Sequence, residues 1–76
     1  MPTSQLPRKL EEGLKKYSEL IIEREKHPPG SDQYDDLDGE AFYLYLEIIG
    51  QGYKQQFEAV ASSRDFWREA LRKAAL

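Results

Sequence analysis

The amino-acid sequence predicts an all-α fold: an antiparallel two-helix hairpin with a shorter C-terminal third helix, expected to be dimeric. Three observations lead to this prediction. Apolar residues recur at spacings of three and four along three segments, the stretch HPPG separates the first two segments, and no segment shows the alternation that a paired strand requires. With 76 residues and no cysteine, residues 1–76 are expected to form one small helical domain without disulfide bonds.

The first helix is predicted over about residues 5–26. Its apolar stripe repeats at spacings of four, four, three and four, and consists of Leu6, Leu10, Leu14, Tyr17 and Ile21. Thr3 or Ser4 can cap its start. The stretch HPPG ends it, because proline lacks the amide hydrogen and clashes with the preceding turn. Gly13 either weakens this helix or marks the close approach of another helix.

Residues 27–37 are predicted to form an acidic loop. The sequence PPGSDQYDDLD is rich in proline, glycine, serine and aspartate, which favour turns. The second helix is expected to begin near residue 38, with Asp36 or Asp38 as its cap and Glu40 in its first turn.

The stretch FYLYLEIIGQG, residues 42–52, could be a strand or part of a helix. A strand here would have to pair with another copy of the chain, since no second strand is evident. As a helix, it extends a stripe at spacings of four and three: Phe42, Leu46, Ile49, Tyr53, Phe57 and Val60. We therefore predict a helix over about 38–61 whose stripe covers the first helix. Gly50 and Gly52 could kink or split it.

The third helix is predicted over about residues 63–75, after the stretch SSRDF. Ser62 and Asp65 fit a start that resembles a capping box. The apolar face of this helix consists of Phe66, Trp67, Ala70, Leu71, Ala74 and Ala75.

The net charge of −3 is unevenly distributed along the chain. Residues 31–50 contain six acidic and no basic residues, whereas both flanking segments contain a small excess of basic residues. The N-terminal stretch has no apolar signal region, and the longest uncharged apolar run, AFYLYL, is much shorter than the roughly 20 residues that cross a bilayer. We expect a soluble cytoplasmic protein that does not contact the membrane.

The sequence does not supply a catalytic or metal-binding set of residues. An EF-hand alignment with Gly39 at the sixth position places Tyr34 and Tyr45 where the loop needs carboxylates, so a calcium loop of this type is excluded. His27 is the only histidine, and its position after the first helix suits interaction with the helix C-terminus. We expect no enzymatic activity, no cofactor and no metal site.

Aromatic and aliphatic side chains surround the predicted second helix, although a hairpin with the first helix buries only one side of it. The third helix can cover part of the remainder. We therefore predict a small non-enzymatic interaction or regulatory protein, with a protein partner or a second copy as homodimer bound through Leu44, Tyr45, Ile48 and Trp67. Replacement of Ile48 by aspartate is expected to dissociate the dimer without loss of helix.

Two alternative functions follow from the charges. Arg64, Arg68 and Arg72 form a basic stripe beside Trp67, which could make the protein a nucleic-acid-associated regulator. A set of i,i+4 ion pairs such as Glu69 with Lys73 accounts for the same residues, so nucleic acid binding is the less favoured interpretation. The acidic surface could instead make the protein a small inhibitor of a basic target; it comprises Asp32, Asp35, Asp36, Asp38 and Glu40.

The sequence HPPGSD, residues 27–32, resembles a turn of DNase-colicin immunity proteins, which are small acidic helical inhibitors. The resemblance covers six residues. The tyrosine pair that follows this turn in that family is replaced here by QYDD, so the family's inhibitor contacts have no counterparts. We take no function from this resemblance.

Overall fold

A computed structural model describes residues 7–75, which form four α-helices and no strand: α1 (Arg8–Arg24), α2 (Asp32–Gly50), α3 (Lys54–Ala61) and α4 (Arg64–Ala74). The prediction of an all-helical fold is confirmed, and FYLYLEIIG is helix rather than strand. None of these helices is both long enough and apolar enough to span a bilayer. The predicted caps Thr3 and Ser4, and Leu6 of the predicted stripe, lie outside the described residues.

Helix α2 begins at Asp32, six residues before the predicted start, so residues 32–37 are helical and the prediction of an acidic loop over 27–37 is wrong for this part. The cap is Ser31, whose hydroxyl accepts a hydrogen bond from the Tyr34 amide at 3.2 Å. Asp32 and Asp35 lie in the first turn, where the helix dipole stabilises negative charge. The aspartates that suggested a loop therefore stabilise a helix start.

The predicted long helix over 38–61 is two helices, because the chain turns at Gly52. Gly52 has φ +91°, its amide donates to the Ile49 carbonyl, and the Tyr53 amide donates to the Ile48 carbonyl. These two bonds form a Schellman motif, whose left-handed residue is usually glycine. Helix α3 then starts at Lys54, so Phe57 and Val60 are not on the same helix as Phe42.

Helix α4 begins after Ser63 rather than Ser62. The Ser63 hydroxyl accepts from the Phe66 amide at 3.4 Å, which satisfies one of the free amides of the first turn. The indole of Trp67 donates to the Ala61 carbonyl at the end of α3. Trp67 therefore attaches α4 to α3.

The core lies where α1, α2 and α3 meet, and consists of Leu10, Leu14, Ile48 and Phe57. The ring of Tyr17 packs edge-on against Phe57, with 5.0 Å between ring centroids. Among the described residues, α1 contacts the other three helices, whereas α2 and α4 do not contact each other. The expectation that the third helix covers part of α2 is therefore wrong, and α4 leaves α2 uncovered on its outer side.

The side of α2 that faces α1 differs from the predicted one. Ala41 and Ile48 are buried, whereas Phe42 and Leu46 of the predicted stripe are exposed to solvent. A Cβ atom at Gly13 would lie 2.7 Å from Cδ1 of Ile48, so Ile48 occupies the space that Gly13 leaves free. Gly13 thus marks a close helix approach, one of the two interpretations that the sequence allowed.

Candidate functional site: the outer face of helix α2

The outer face of α2 points away from α1 and combines acidic and apolar side chains along four helical turns. Since successive residues of an α-helix are rotated by about 100°, residues at spacings of three, four and seven share one side. By this rule one side of α2 carries Asp32, Asp35, Asp36, Gly39, Phe42, Tyr43 and Leu46. We call these seven residues the outer face.

The C-terminal half of the outer face is apolar. Phe42 is 55% exposed, Tyr43 is 73% exposed and Leu46 is 39% exposed. The rings of Phe42 and Tyr43 lie side by side, with 6.3 Å between their centroids. Single exposed apolar residues are common, but three large ones together on one helix are typical of an interaction surface.

The N-terminal half of the outer face is acidic and lacks neutralising partners. Asp32, Asp35 and Asp36 are exposed, and within residues 7–75 no lysine, arginine or histidine nitrogen lies within 4.0 Å of their carboxylates. No basic residue occurs between residues 31 and 50. This half of the face therefore presents negative charge that the described part of the chain does not balance.

Asp38 differs from the other aspartates, because it is used within the fold. Its Oδ1 accepts from Nη1 of Arg24 at 2.7 Å. Arg24 also binds the Glu25 carboxylate and lies over the Tyr34 ring at 5.0 Å from the centroid. Partial burial disfavours the charged guanidinium, but the hydrogen bonds to Glu25 and Asp38 outweigh burial and raise the pKa of Arg24. Asp38 thus holds α2 against α1, as part of the structure rather than of the free acidic surface.

A groove runs along each side of the outer face. The first has a volume of about 260 Å³ and is lined by Tyr17, Ile21, Arg24, Asp38, Ala41, Phe42 and Tyr45. The second has a volume of about 280 Å³ and is lined by Lys16, Leu20, Glu40, Tyr43, Leu44 and Glu47. Both grooves are open and too shallow to enclose a substrate, but each can receive side chains of a macromolecule that lies on the outer face.

The position of Gly39 on the outer face has no explanation inside the described part of the chain. A Cβ atom there would meet nothing within 4 Å, and its φ is not in the left-handed region. Glycine inside a helix costs up to about 1 kcal/mol relative to alanine. Gly39 removes a side chain from the middle of the outer face, so a macromolecule can approach the backbone closely there.

The structure separates the four residues predicted to bind a partner. Ile48 is 3% exposed and packs against Gly13, so the expectation that it faces outward is wrong. Leu44 and Tyr45 are half-buried against the core. The indole of Trp67 contacts the Tyr17 and Phe66 rings and donates to Ala61, so it is engaged within the fold. Of these four, only Leu44 and Tyr45 border the outer face, each at the edge of one groove.

Tyr45 joins α2 to α3 through its hydroxyl group, which donates to the Glu58 carboxylate at 2.8 Å. This hydrogen bond, together with the nearby negative charge, raises the pKa of Tyr45 above the ordinary value for a phenol. Its ring also packs against Phe57, with 5.5 Å between centroids. Tyr45 therefore has a structural role at the border of the face.

The basic stripe on α4 is exposed, but two of its three members pair within the helix. Arg68 lies 3.9 Å from the Asp65 carboxylate, and Arg72 binds Glu69. The pairs are at i,i+3, and Glu69 pairs with Arg72 rather than with Lys73 as predicted. The hydrogen bond to Arg72 lowers the pKa of Glu69. Arg64 has no ion pair within residues 7–75.

Other predicted residues have local roles. His27 lies 3.7 Å from the Glu23 carboxylate, and its amide donates to the Arg24 carbonyl at the end of α1. Glu40 is exposed and lines one groove beside the outer face. Within residues 7–75, no three histidine, aspartate or glutamate side chains converge in a way that could hold a metal ion.

No protein-family model matches the chain, and comparison with curated proteins and with solved structures gives no match. The function therefore has to be argued from the geometry of the described residues.

Proposed function

We propose that this chain is a small non-enzymatic interaction or regulatory protein that binds a protein partner through the outer face of α2. The observation that carries the proposal is the exposure of Phe42, Tyr43 and Leu46 on one side of one helix. Full burial of an exposed large apolar side chain is worth about 1.5–3 kcal/mol, and a partner that covers the remaining exposed surface of these three gains a corresponding part of that free energy.

Two contacts with α1 support the outer face from behind. Arg24, the last residue of α1, binds Asp38, and Gly13 near the start of α1 contacts Ile48 near the end of α2. These two contacts support an antiparallel α1–α2 hairpin in which α2 is held against α1 at Asp38 and at Ile48. A face that is held in place before binding loses less conformational entropy on binding, which favours affinity.

Residue types on the face suit a protein partner. Aromatic side chains are enriched at the centres of protein interfaces, where they concentrate binding energy, and acidic groups at the border direct the encounter. A second copy of the chain is one possible partner, as the sequence predicted. A different protein is the alternative partner. Either partner would bind with Tyr43 in the interface.

Site-specific photocrosslinking in the native host tests this proposal. A photoreactive phenylalanine derivative replaces Tyr43 on the outer face, and in a matched control it replaces Arg68, which is exposed on α4, a helix that does not contact α2. We expect a discrete crosslinked product from position 43 and none of the same mass from position 68. A product of twice the chain mass identifies a homodimer, and any other mass identifies a heterologous complex.

Two results would refute the proposal. One is the absence of any crosslinked product at position 43 while the protein is folded and expressed at its natural level. The other is an equal product from positions 43 and 68, since this would indicate random collision rather than a defined face.

A further inference from the structure

We infer that the outer face binds a basic amphipathic helix of another protein, in which an apolar stripe covers Phe42, Tyr43 and Leu46 and lysine or arginine residues face Asp32, Asp35 and Asp36. This inference rests on the proposed function and specifies the chemistry of the partner.

The charge of the face selects a basic occupant. Asp35 and Asp36 lie within two turns of Phe42 and Asp32 lies within three. Within residues 7–75 none of these three carboxylates has a cationic partner. The rise of about 1.5 Å per residue places Asp36 about 9 Å from Phe42 along the helix axis, which is about one Debye length at physiological salt. A partner that covers the apolar residues and extends along α2 to Asp32 therefore lies directly against the carboxylates, and an acidic partner would be repelled.

The shape of the face favours a helix as the occupant. From Asp32 to Leu46 the face is about 21 Å long, which corresponds to about four helical turns. Anchors at spacings of three and four on a partner helix match this length. The absence of a side chain at Gly39 allows the two backbones to approach closely in the middle of the contact. The grooves lined by Tyr17 and by Lys16 can accept the side chains that flank the partner's stripe.

A second copy of the chain complements this face poorly. A parallel pair of α2 helices would place aspartates against aspartates. An antiparallel pair centred on Leu44 would place Asp36 opposite position 52, just past the C-terminal end of α2, where the helix dipole is negative. The basic helix α4 is a weaker match than an unpaired basic helix, because Arg68 and Arg72 already bind Asp65 and Glu69.

The test uses the full chain and three synthetic helical peptides of equal length. The first has a leucine stripe flanked by lysine and arginine, the second has the same stripe flanked by glutamate, and the third has the same basic residues without the stripe. Fluorescence anisotropy measures binding at low and at high salt. We expect the first peptide to bind at least about tenfold more tightly than either of the others at low salt.

Two sets of variants assign the contacts. The double variant Asp35→Asn, Asp36→Asn should weaken binding of the first peptide about tenfold at low salt and reduce its salt dependence. Its matched control is Glu11→Gln, Glu19→Gln, which changes the net charge by the same amount on exposed residues of α1 and should leave affinity within about twofold. Leu46→Ala should weaken binding about tenfold at both salt concentrations.

Several results would overturn the inference: equal affinity for the lysine- and glutamate-flanked peptides, equal affinity for the peptide without the stripe, equal loss in the control variant, or no binding of any peptide. Concentration-dependent dimerisation of the chain in sedimentation, abolished by Leu46→Asp, would replace the basic helix by a second copy. None of these results refutes the proposed function, because the proposed function is tested by the crosslinking of position 43 in the host.

Discussion

Gly13 of α1 and Ile48 of α2 share one volume of the core. A methyl group at Gly13 would lie 2.7 Å from Cδ1 and 3.2 Å from Cγ1 of Ile48. Ile48 is 3% exposed and belongs to the same cluster as Leu10, Leu14 and Phe57. The glycine that weakens α1 by its own propensity thus sets the distance between α1 and α2.

Gly13→Ala should therefore destabilise the protein. Alanine improves helix propensity by up to about 1 kcal/mol, but overpacking of a core costs about 1–3 kcal/mol. We expect a net loss of about 1 kcal/mol in the free energy of unfolding, measured by urea denaturation. Ile48→Val removes Cδ1, so Gly13→Ala should have little effect or be stabilising in that background. Equal effects of Gly13→Ala in both backgrounds would contradict this contact.

Ile48→Asp should unfold the protein, whereas Leu46→Asp should leave it folded, although the two residues are only two positions apart in the sequence. A carboxylate at position 48 would be buried without a partner, and we expect a loss of more than about 3 kcal/mol and largely unfolded protein. Leu46 is 39% exposed, so aspartate there should retain the helical circular dichroism signal. A folded Ile48→Asp variant would show that position 48 is accessible, as the sequence had suggested.

The burial of Ile48 shows why hydrophobic periodicity predicted the helix but not its orientation. Apolar residues occur on nearly every side of α2, so a stripe through Phe42 and Leu46 and another through Ala41 and Ile48 are equally consistent with spacing. The choice depends on Gly13, a residue more than 30 positions away, because only a glycine there accommodates Ile48. Local sequence patterns do not contain such a contact.

Gly50→Ala and Gly52→Ala should change stability in opposite directions. Gly50 ends α2 with no neighbouring atom within 4 Å of its missing Cβ, so alanine should stabilise by up to about 1 kcal/mol. Gly52 has φ +91°, and a side chain in the left-handed region costs about 1–2 kcal/mol. Thermal unfolding of the two single variants measures both effects. Stabilisation by Gly52→Ala would mean that α2 and α3 can join into one helix.

The same two glycines limit what the sequence reveals about helix ends. Both were recognised as possible breaks, but composition does not distinguish a glycine inside a helix from one in a Schellman turn two residues later. The acidic segment shows a similar limit, because Asp32 and Asp35 favour a loop by composition and a helix start by electrostatics. Ser31, a preferred N-cap residue directly before Asp32 and Asp35 in the first turn, is the sequence signal that favours a helix start here.

The hydrogen bond between Tyr45 and Glu58 should make stability depend on alkaline pH. The folded state raises the pKa of Tyr45, so this group contributes stability that is fully present below the unfolded pKa of about 10 and is lost as pH rises through the higher folded pKa. We expect Tm to fall more steeply above about pH 10 in the wild type than in Tyr45→Phe. The variant serves as the control for the other tyrosines and the lysines. Parallel curves would show that the bond does not persist in solution.

The basic stripe of α4 should not bind nucleic acid at physiological salt. Arg68 and Arg72 each pair with a carboxylate on the same helix, and the indole of Trp67 is bonded to Ala61. A phosphate contact at Arg68 or Arg72, or base stacking on Trp67, would therefore compete with these interactions, and of the stripe only Arg64 has no ion pair within residues 7–75. Gel-shift assays with single- and double-stranded DNA and RNA should give no complex. A complex that is lost on Arg64→Ala would favour the nucleic-acid alternative.

The outer face could be anticipated only in part. The sequence indicated that α2 has more apolar surface than one neighbour can cover, and it identified the acidic cluster as a surface. It assigned the exposed residues Phe42 and Leu46 to the side that packs against the first helix, because they continue at spacings of four and three to Ile49. The structure connects the acidic and the apolar residues on one helix, since α2 begins before Asp35 rather than after it.

Because α1 contacts the other three helices, α4 can unfold locally while the α1–α2 pair stays folded. Helix α4 has no buried residue, and among the described residues it contacts α1 and α3 but not α2. Local opening of α4 would therefore leave the contact of Leu10 and Leu14 with Ile48 in place, and its amide hydrogens can exchange without global unfolding. A ligand on α2 stabilises the α1–α2 pair directly but reaches α4 only through α1 and α3. Substitutions on the surface of α4, including those that remove its charged residues, should consequently have little effect on the affinity of α2 for its partner.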